Sequence, residues 1–296
     1  METIQYKDSK NIRIDEYIKN SFPHLSKNKL YKSFRKKDIK VNGKRVQIDF
    51  SLNNGDIIDI YINKEYLFIT PEKYPIEIVY EDKNILVINK SQGISVQNDK
   101  YSDICLIDIV RKYYKPNNDL RLCHRLDRNT GGLILLSKNK TIHDTIINEF
   151  NHIHKFYICY VNGIVKKVYS NLTAYLKKDS KTSNVSIFDS YVKNSKKIST
   201  TIRILSQDEK ITKLEVYLKS GRTHQIRSHL AYLGFPIIGD GKYGTNKINK
   251  KYNLKKQALW AYKISFDFPK NSILNYLNSK KLEVVPNKIF TDIFNF

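Results

Sequence analysis

Apolar residues recur every three or four positions in two short segments near the N-terminus, residues 13–22 and 26–37. This spacing is typical of amphipathic helices, and Pro23 ends the first of them. The polar face of the second helix is almost entirely basic. Like charges on one helix surface repel each other, so this face favours an anionic partner, with a solvated charged face as the simpler alternative. The inward positions are Ile14, Tyr17, Ile18, Phe22, Leu30 and Phe34.

Two short β-prone runs follow and flank Asn42-Gly43, a pair that favours a tight hairpin because both residues tolerate positive φ. A turn and an apolar strand then extend to about residue 62. We therefore predict a small module over residues 1–66 and a linker with two prolines over residues 67–77. The basic positions of the module that we expect to contact an anionic partner are Lys29, Lys32, Arg35, Lys36, Lys40, Lys44 and Arg45.

Residues 78–296 show strand patterns with helical segments between them. Several strand pairs follow each other directly, and few strands alternate with helices as in βαβ units. This order predicts an α+β domain with a mixed, largely antiparallel sheet and packed helices. The strand patterns are EIVYEDKNILVINK, LILLSK, KFYICYVNG, TTIRILS and KLEVYLKS, and the helical patterns are TIHDTIINEF and THQIRSHLAYLG.

The charge balance points to a partner. The 296 residues include 52 Lys and Arg against 29 Asp and Glu, a formal net charge of +23. Such an excess repels itself in a folded chain, which favours nucleic acid first and a membrane surface second. A lysine-rich composition accounts for part of the excess. No segment has the length and apolarity of a membrane span, and the N-terminus lacks a signal-peptide pattern, so we expect no membrane partner.

Cysteine usage indicates the redox environment. The chain has three cysteines, Cys105, Cys123 and Cys159, and none of them forms a C-x-x-C pair. The odd number and the spacing argue against a disulfide framework and against a zinc knuckle. We therefore expect a cytoplasmic protein with no metal site.

The densest polar segment lies in residues 120–139, where HRLDRN is followed by two glycines and a strongly apolar strand. A polar loop on a rigid strand is a common place for catalytic groups. Asp127 stands between Arg125 and Arg128, and a nearby guanidinium keeps a carboxylate ionised, which suits a nucleophile. An aspartate that turns the chain and pairs with a local arginine is the alternative, and residue types alone favour it.

A second polar segment, residues 219–244, begins with Arg222, His224 and Arg227 at the start of a predicted helix. His224 and His229 are five residues apart, which does not place them on one helix face as metal ligands. Arginines at this position can bind phosphate or hold a carboxylate from another loop. The later glycines are too irregular for a nucleotide-binding loop, so we expect no cofactor.

A third segment, residues 154–163, places Tyr157 on a strand, where an ordinary core tyrosine is the simpler interpretation.

Three segments, taken in order, resemble the three signature motifs of RluA-type pseudouridine synthases: HRLDRNTGGLILLSK, KFYICYVNG and GRTHQIRSHLAYLGFPIIGDGKYG. The two helices and hairpin of the N-terminal module resemble a small RNA-binding module first known from a ribosomal protein of the small subunit. The resemblance implies an isomerase that converts uridine to pseudouridine in ribosomal or transfer RNA without a cofactor.

The motifs imply roles for individual residues. Asp127 falls on the catalytic carboxylate and Arg222 on its partner. Tyr157 falls on the residue that stacks on the target base and assists proton transfer. Arg125 falls on the residue that helps to take the nucleotide out of the stack. The residues that we expect to bind substrate are His124, Arg125, Arg128, Thr130, His224, Gln225 and Arg227.

Two other expectations accompany these roles. We expect the substrate to be ribosomal RNA of the large subunit rather than transfer RNA, and we expect the enzyme to be a monomer.

The family often has Ser or Thr where this chain has Gly131. The alternatives are a non-catalytic RNA-binding protein with a decayed synthase domain and a metal-dependent nuclease. Retention of Asp127 argues against the first, and the scattered carboxylates argue against the second.

Overall fold

The computed structural model describes residues 1–22, 25, 27–68, 74–97, 104–114, 119–179, 184–218 and 221–286. By contacts the chain divides into two compact units, and both are discontinuous in sequence. The first unit comprises Met1–Ile76 and Ile94–Asn118, and the second comprises Glu77–Gly93 and Asp119–Phe296. None of the helices within the described ranges is long and apolar enough to cross a membrane.

The first unit contains short strands and four helices within its described part. A four-stranded antiparallel sheet has the order β1-β6-β3-β4, and β2 pairs with β5. The elements are β1 (Glu2–Gln5), β2 (Ile12–Arg13), α1 (Ile14–Ser21), α2 (Lys27–Lys36), β3 (Ile39–Val41), β4 (Lys44–Arg45), β5 (Ser51–Leu52), β6 (Ile57–Ile60), α3 (Lys64–Leu67) and α4 (Leu106–Tyr113).

The inward-facing residues of the two N-terminal helices form part of the core of this unit. Ile14 and Ile18 of α1 and Leu30 of α2 are buried in one cluster with the inner residues of the sheet. The turn between β3 and β4 has positive φ at both Asn42 (49°) and Gly43 (74°), as the sequence predicts for this pair. The basic side chains Lys32, Arg35, Lys36, Lys44 and Arg45 are exposed, and Lys29 and Lys40 are half-buried.

The predicted linker differs from the structure at its start. Leu67 is 1% exposed and belongs to the core cluster of the first unit. Pro71 lies outside the described residues. Farther along the chain, Ile104 and Ile109 pack with Tyr74, Ile76 and Ile94. This packing joins the segment that carries α4 to the first unit, whereas the sequence patterns place it in the second.

The second unit is built on one large sheet. The strand order is β13-β12-β14-β15-β11-β16-β10-β8-β7, with β9 added to β10 and β17 added to β16. The elements are β7 (Glu77–Glu81), β8 (Ile85–Lys90), β9 (Arg121–Leu122), β10 (Gly131–Ser137), α5 (Lys140–Asn148), β11 (Ile153–Asn162), β12 (Tyr169–Lys178), β13 (Val185–Phe188), β14 (Lys196–Gln207), β15 (Ile211–Leu218), α6 (Gln225–Tyr232), α7 (Asn246–Lys251), β16 (Leu259–Phe266) and β17 (Lys281–Glu283).

The predicted mixed, largely antiparallel sheet is confirmed. Among the strand pairs of the described ranges, β10 and β16 run parallel and the others are antiparallel. The sequence patterns do not predict β12, β13 or β16. The first two bury only a small cluster that includes Ala174, Leu176 and Val185, so their apolar pattern is weak. Ile147, expected on the inner side of α5, is 47% exposed because it lies five residues after the buried Ile142, on a different side of the helix.

Two glycines allow the parallel pair to form. A β-carbon on Gly131 would lie 2.3 Å from the Trp260 ring, so no larger side chain fits at this position. Gly132 has φ +111°, and its β-carbon would lie 2.1 Å from the carbonyl oxygen of Ala261. The pairs Gly131–Trp260 and Gly132–Ala261 are the register of β10 with β16. The strand after the polar loop therefore requires both glycines.

We predict that Gly132→Ala destabilises the protein by about 3 kcal/mol, because it adds backbone strain to a steric overlap with a neighbouring strand. Urea unfolding measures this loss. Gly241→Ala is the matched control, since nothing lies within 4 Å of a β-carbon there, and φ at Gly241 is outside the positive region. We expect the control to stay within about 0.5 kcal/mol of wild type. Equal stability of the two variants would contradict the steric explanation.

Candidate active site

The loop of residues 123–130, between β9 and β10, is held by the residues at the end of β8. The Lys90 ammonium donates a hydrogen bond to the carbonyl of Arg128 at 3.2 Å. Gln92 donates from its side-chain amide to the carbonyl of Asn129 at 2.8 Å. Because two successive carbonyls of the loop are bound in this way, the loop has little freedom to move relative to the sheet.

Asp127 lies in this loop with its side chain 25% exposed. Its Oδ2 accepts a hydrogen bond from Nη1 of Arg227 at 2.7 Å, and Nε2 of His224 lies 3.9 Å from the same oxygen. Its Oδ1 accepts no hydrogen bond from any residue in the described ranges. One oxygen is therefore anchored while the other remains open to a substrate, which is the arrangement a reacting carboxylate needs.

Arg227 is buried between two carboxylates. Its Nε and Nη2 donate to the two oxygens of Asp240 at 2.7 and 2.9 Å, while Nη1 donates to Asp127. Burial opposes the charge on Asp240, but the hydrogen bonds from Arg227 outweigh it and hold the pKa of Asp240 below its usual value. Burial also opposes the charge on Arg227, yet the two carboxylates raise its pKa. Arg227 and Asp240 therefore stay ionised at neutral pH.

The pairing expected for Arg222 is wrong. Its side chain is exposed, and its backbone N–H donates to Oε1 of Gln225 at 3.1 Å. The reason is the start of α6, which begins at Gln225 after a left-handed residue, His224, with φ 54°. Arg222 therefore lies in a turn outside the helix. Arg227, expected to contact phosphate, is the third helical residue and points inward to Asp127.

His224 and Tyr243 border Asp127 on another side. The Tyr243 hydroxyl lies 2.9 Å from Nδ1 of His224 and accepts the backbone N–H of Val185 at 3.2 Å. Burial lowers the pKa of His224 to about 4, so the ring is neutral at physiological pH. When the hydroxyl donates its own proton to Nδ1, the ring proton lies on Nε2, the nitrogen nearer to Asp127. The guanidinium of Arg227 also lies 5.3 Å from the centre of the Tyr243 ring.

Tyr157 is positioned by a row of residues across the sheet. It pairs with Ala261 of β16, and Ala261 pairs on its other side with Gly132 of β10. Burial, and then the negative charge of Asp127, raise the pKa of Tyr157. The phenol therefore stays protonated at neutral pH. It can offer an aromatic surface and a hydrogen-bond donor but cannot serve as a base.

Three residues expected to bind substrate make hydrogen bonds within the protein. His124 accepts the N–H of Leu135 at its Nε2 (3.1 Å), and burial lowers its pKa to about 3. Thr130 is 2% exposed and accepts a hydrogen bond from Gln257 at 2.8 Å. Gln225 is 1% exposed and donates to the carbonyl of Ser199 and the hydroxyl of Thr200 at 3.0 and 3.3 Å. Each side chain thus satisfies a polar group inside the protein, and contact of these residues with substrate stays a prediction.

The two arginines of the HRLDR run differ from this group because both are exposed. Arg128 donates from Nε to the carbonyl of Gly93 at 3.0 Å, which ties it to the segment after β8. Arg125 is exposed as well, although the next residue, Leu126, is buried. Neither arginine pairs with Asp127 in the structure, and both remain predicted contacts for substrate.

Three further residues near Asp127 were not predicted from the sequence: Lys90, Asp240 and Tyr243. Burial lowers the pKa of Lys90 to about 7, with the negative charge of Asp127 acting in the opposite direction. The available signal was a lysine at the end of the apolar run ILVINK, where a charge is unusual. Asp240 and Tyr243 lie in GDGKYG, which we had examined only for the spacing of its glycines.

Comparison with known proteins identifies the family. Residues 84–232 match the family model described as RNA pseudouridylate synthase. The chain is 30% identical over 293 residues to "Ribosomal large subunit pseudouridine synthase C" of Buchnera aphidicola, covering 92% of this chain and 91% of the relative. A protein of the same name from Rickettsia felis is 32% identical over 257 residues, covering 80% of this chain and 83% of the relative. The chain therefore belongs to the RNA pseudouridine synthase family and is an isomerase.

Solved structures show the same fold. "Human RNA Pseudouridylate Synthase Domain Containing 4" has a TM-score of 0.59 at 20% identity, covering 73% of this chain and 91% of that chain. "Human RNA Pseudouridylate Synthase Domain Containing 1" has a TM-score of 0.56 at 24% identity, covering 72% and 83%. The expectation of a pseudouridine synthase fold with a mixed sheet is thus confirmed.

We predict that Arg227→Lys lowers turnover roughly 100-fold, because one ammonium cannot reproduce the three hydrogen bonds that place the Asp127 carboxylate. Single-turnover kinetics on labelled RNA measure the rate. Arg222→Lys is the matched control and should keep turnover within about threefold, since its side chain is exposed. A loss in the control equal to that in Arg227→Lys would restore Arg222 as the partner.

Proposed function

We propose that Asp127 is the catalytic carboxylate of this RNA pseudouridine synthase. The observation that carries the proposal is its asymmetric environment. Arg227 anchors Oδ2 at 2.7 Å, whereas Oδ1 has no hydrogen-bond donor among the described residues. This carboxylate is also only partly buried, so a substrate can reach it. A domain that had lost its activity would not require a buried arginine between two carboxylates. This arrangement therefore argues against the alternative of a decayed synthase domain.

The reaction requires few groups. Pseudouridine formation breaks the N-glycosidic bond, rotates the uracil and rejoins it to the ribose through carbon. A carboxylate can attack the uracil ring, attack the anomeric carbon or remove a ribose proton, and each route uses a free oxygen such as Oδ1. Tyr157 supplies an aromatic surface for the base together with a protonated phenol. The base must leave its stack, which costs a few kcal/mol and favours loops over duplex RNA.

For the substrate we propose ribosomal RNA of the large subunit. The relatives from Buchnera aphidicola and Rickettsia felis carry that substrate in their names. The net charge of +23 supports a long polyanion, because each phosphate contact releases counterions from the RNA. Exposed Arg125 and Arg128 stand next to Asp127 in sequence and are suited to the phosphates around the target nucleotide.

The N-terminal unit we assign to RNA binding. Its α1, α2 and β3–β4 hairpin follow the order of the small ribosomal-protein module that the sequence resembles. Helix α2 carries five lysines and arginines, and its first turn contains no acidic residue. None of the groups around Asp127 lies in this part of the chain. We therefore propose that residues 1–66 supply affinity, while residues 78–296 carry the chemistry.

We predict that Asp127→Asn abolishes release of tritium from large-subunit ribosomal RNA labelled at uracil C5, since C5 loses its hydrogen when it joins the ribose. Gel shifts should find its RNA affinity within about threefold of wild type, because affinity comes mainly from phosphate contacts. Asp119→Asn, at an exposed carboxylate paired with Arg121, is the control and should keep full activity. Tritium release by Asp127→Asn would refute the assignment. Release by wild type from transfer RNA alone would refute the ribosomal substrate.

For the N-terminal unit we predict that Lys32→Gln, Arg35→Gln and Lys36→Gln together flatten the salt dependence of RNA binding. The slope of log Kd against log salt should fall by roughly 2 to 3, about 0.7 to 0.9 for each phosphate contact. Single-turnover chemistry at saturating RNA should change little. The control neutralises three exposed lysines elsewhere in the same unit, Lys7, Lys10 and Lys19. A slope unchanged in the first variant, or changed equally in both, would remove the RNA-binding role of α2.

A further inference from the structure

Lys155 is a buried cation that has no part in the contacts around Asp127. It is 6% exposed, and it makes no hydrogen bond and no ion pair with the described residues. Its ammonium stacks over the Phe150 ring, 4.0 Å from the ring centre. A buried charge normally has an ionic or hydrogen-bonding partner, because desolvation is costly. Burial accordingly lowers the pKa of Lys155 to about 8.

The surroundings of this ammonium include both polar loops of the active site. A β-carbon built on Gly221 would lie 3.7 Å from Nζ, and Gly221 itself is exposed. The positive charge of Lys155 also contributes to the lowered pKa of His124, which begins the HRLDR run. The ammonium therefore lies beneath a glycine at the surface, where the missing side chain leaves room for a ligand to approach.

Strand β11 sets the distance between Lys155 and Tyr157, the residue that we expect to contact the target base. Lys155 and Tyr157 are two residues apart on β11, whose pairing with β15 has no register shift over this stretch, so their side chains point to the same face. Two residues of a strand span about 7 Å. This distance is comparable to the spacing of neighbouring nucleotides on an unstacked strand, so an RNA whose base reaches Tyr157 brings a neighbouring phosphate near Lys155.

We propose that the Lys155 ammonium binds a backbone phosphate of the RNA next to the target uridine. The anion supplies the partner that the described residues do not provide, and the mostly buried position strengthens the interaction relative to a surface lysine. The contact would also help to hold the strand while the base leaves its stack. This inference rests on the RNA substrate of the family but not on ribosomal RNA in particular.

The test compares Lys155→Met, which keeps the length and the packing on Phe150, with wild type. The probe is fluorescein-labelled hexauridylate, titrated against the full chain from 50 to 300 mM KCl. We expect Kd to rise roughly tenfold, as for loss of one charged hydrogen bond. The slope of log Kd against log salt should fall by about 0.7, the value for one phosphate contact on a single strand. The melting temperature should not fall, because the variant removes a buried charge.

Lys213→Met is the matched control. Lys213 lies over the Tyr160 ring at 5.7 Å on the opposite face of the same sheet, so its loss should leave the slope unchanged. Lys155→Gln should repeat the result of Lys155→Met. Unchanged affinity and slope in both Lys155 variants would overturn the inference, and a lower melting temperature with an unchanged slope would assign Lys155 to packing. A wild-type chain that binds no hexauridylate would overturn this contact with single-stranded RNA, whereas the RNA substrate itself is tested separately by tritium release.

Discussion

The active site depends on the burial of one guanidinium between two carboxylates. Arg227 and Asp240 are both buried, and either charge alone would be strongly destabilising in that position. The bidentate contact with Asp240 fixes the plane of the guanidinium, and only Nη1 remains to bind Asp127. Asp240 is held in turn by the backbone N–H groups of Lys242 and Tyr243. The position of the Asp127 carboxylate is therefore set by a turn more than 100 residues away in sequence.

The sheet places the second half of the site. Ala261 lies between Gly132 and Tyr157 in one row of paired residues, so a single residue of β16 relates the strand after the Asp127 loop to the strand of Tyr157. The close approach at Gly132 makes this row possible. Loop, aromatic ring and arginine thus belong to three different parts of the chain. Backbone pairing sets the distance between the loop and Tyr157, whereas a side-chain hydrogen bond joins Arg227 to the loop.

Local patterns in the sequence were sufficient for much of this arrangement. The Asn42-Gly43 turn, the helix of Ile14 and Ile18 and the HRLDR loop before a strand all follow from short-range rules. The predicted pairing of Arg222 with Asp127 was wrong because the start of α6 depends on one left-handed residue, His224, which no propensity rule identifies. Lys90 carried a signal that was not used, a lysine at the end of an apolar run, whereas the importance of Asp240 comes from its contact with Arg227, which appears only in the folded chain. Residue types show which groups can act, whereas long-range contacts decide which of them meet.

The charges of the site and of the surface act differently. Basic side chains dominate the chain as a whole, with a net charge of +23, whereas Arg227 at the site is balanced by Asp127 and Asp240. His224 adds no charge at neutral pH because burial lowers its pKa to about 4. Arg227 binds only Oδ2 of Asp127, so Oδ1 is not neutralised by a direct contact with the described residues. The exposed basic residues are suited to attract the phosphates of a polyanion over long range, whereas the groups around Asp127 are suited to the chemistry that we propose.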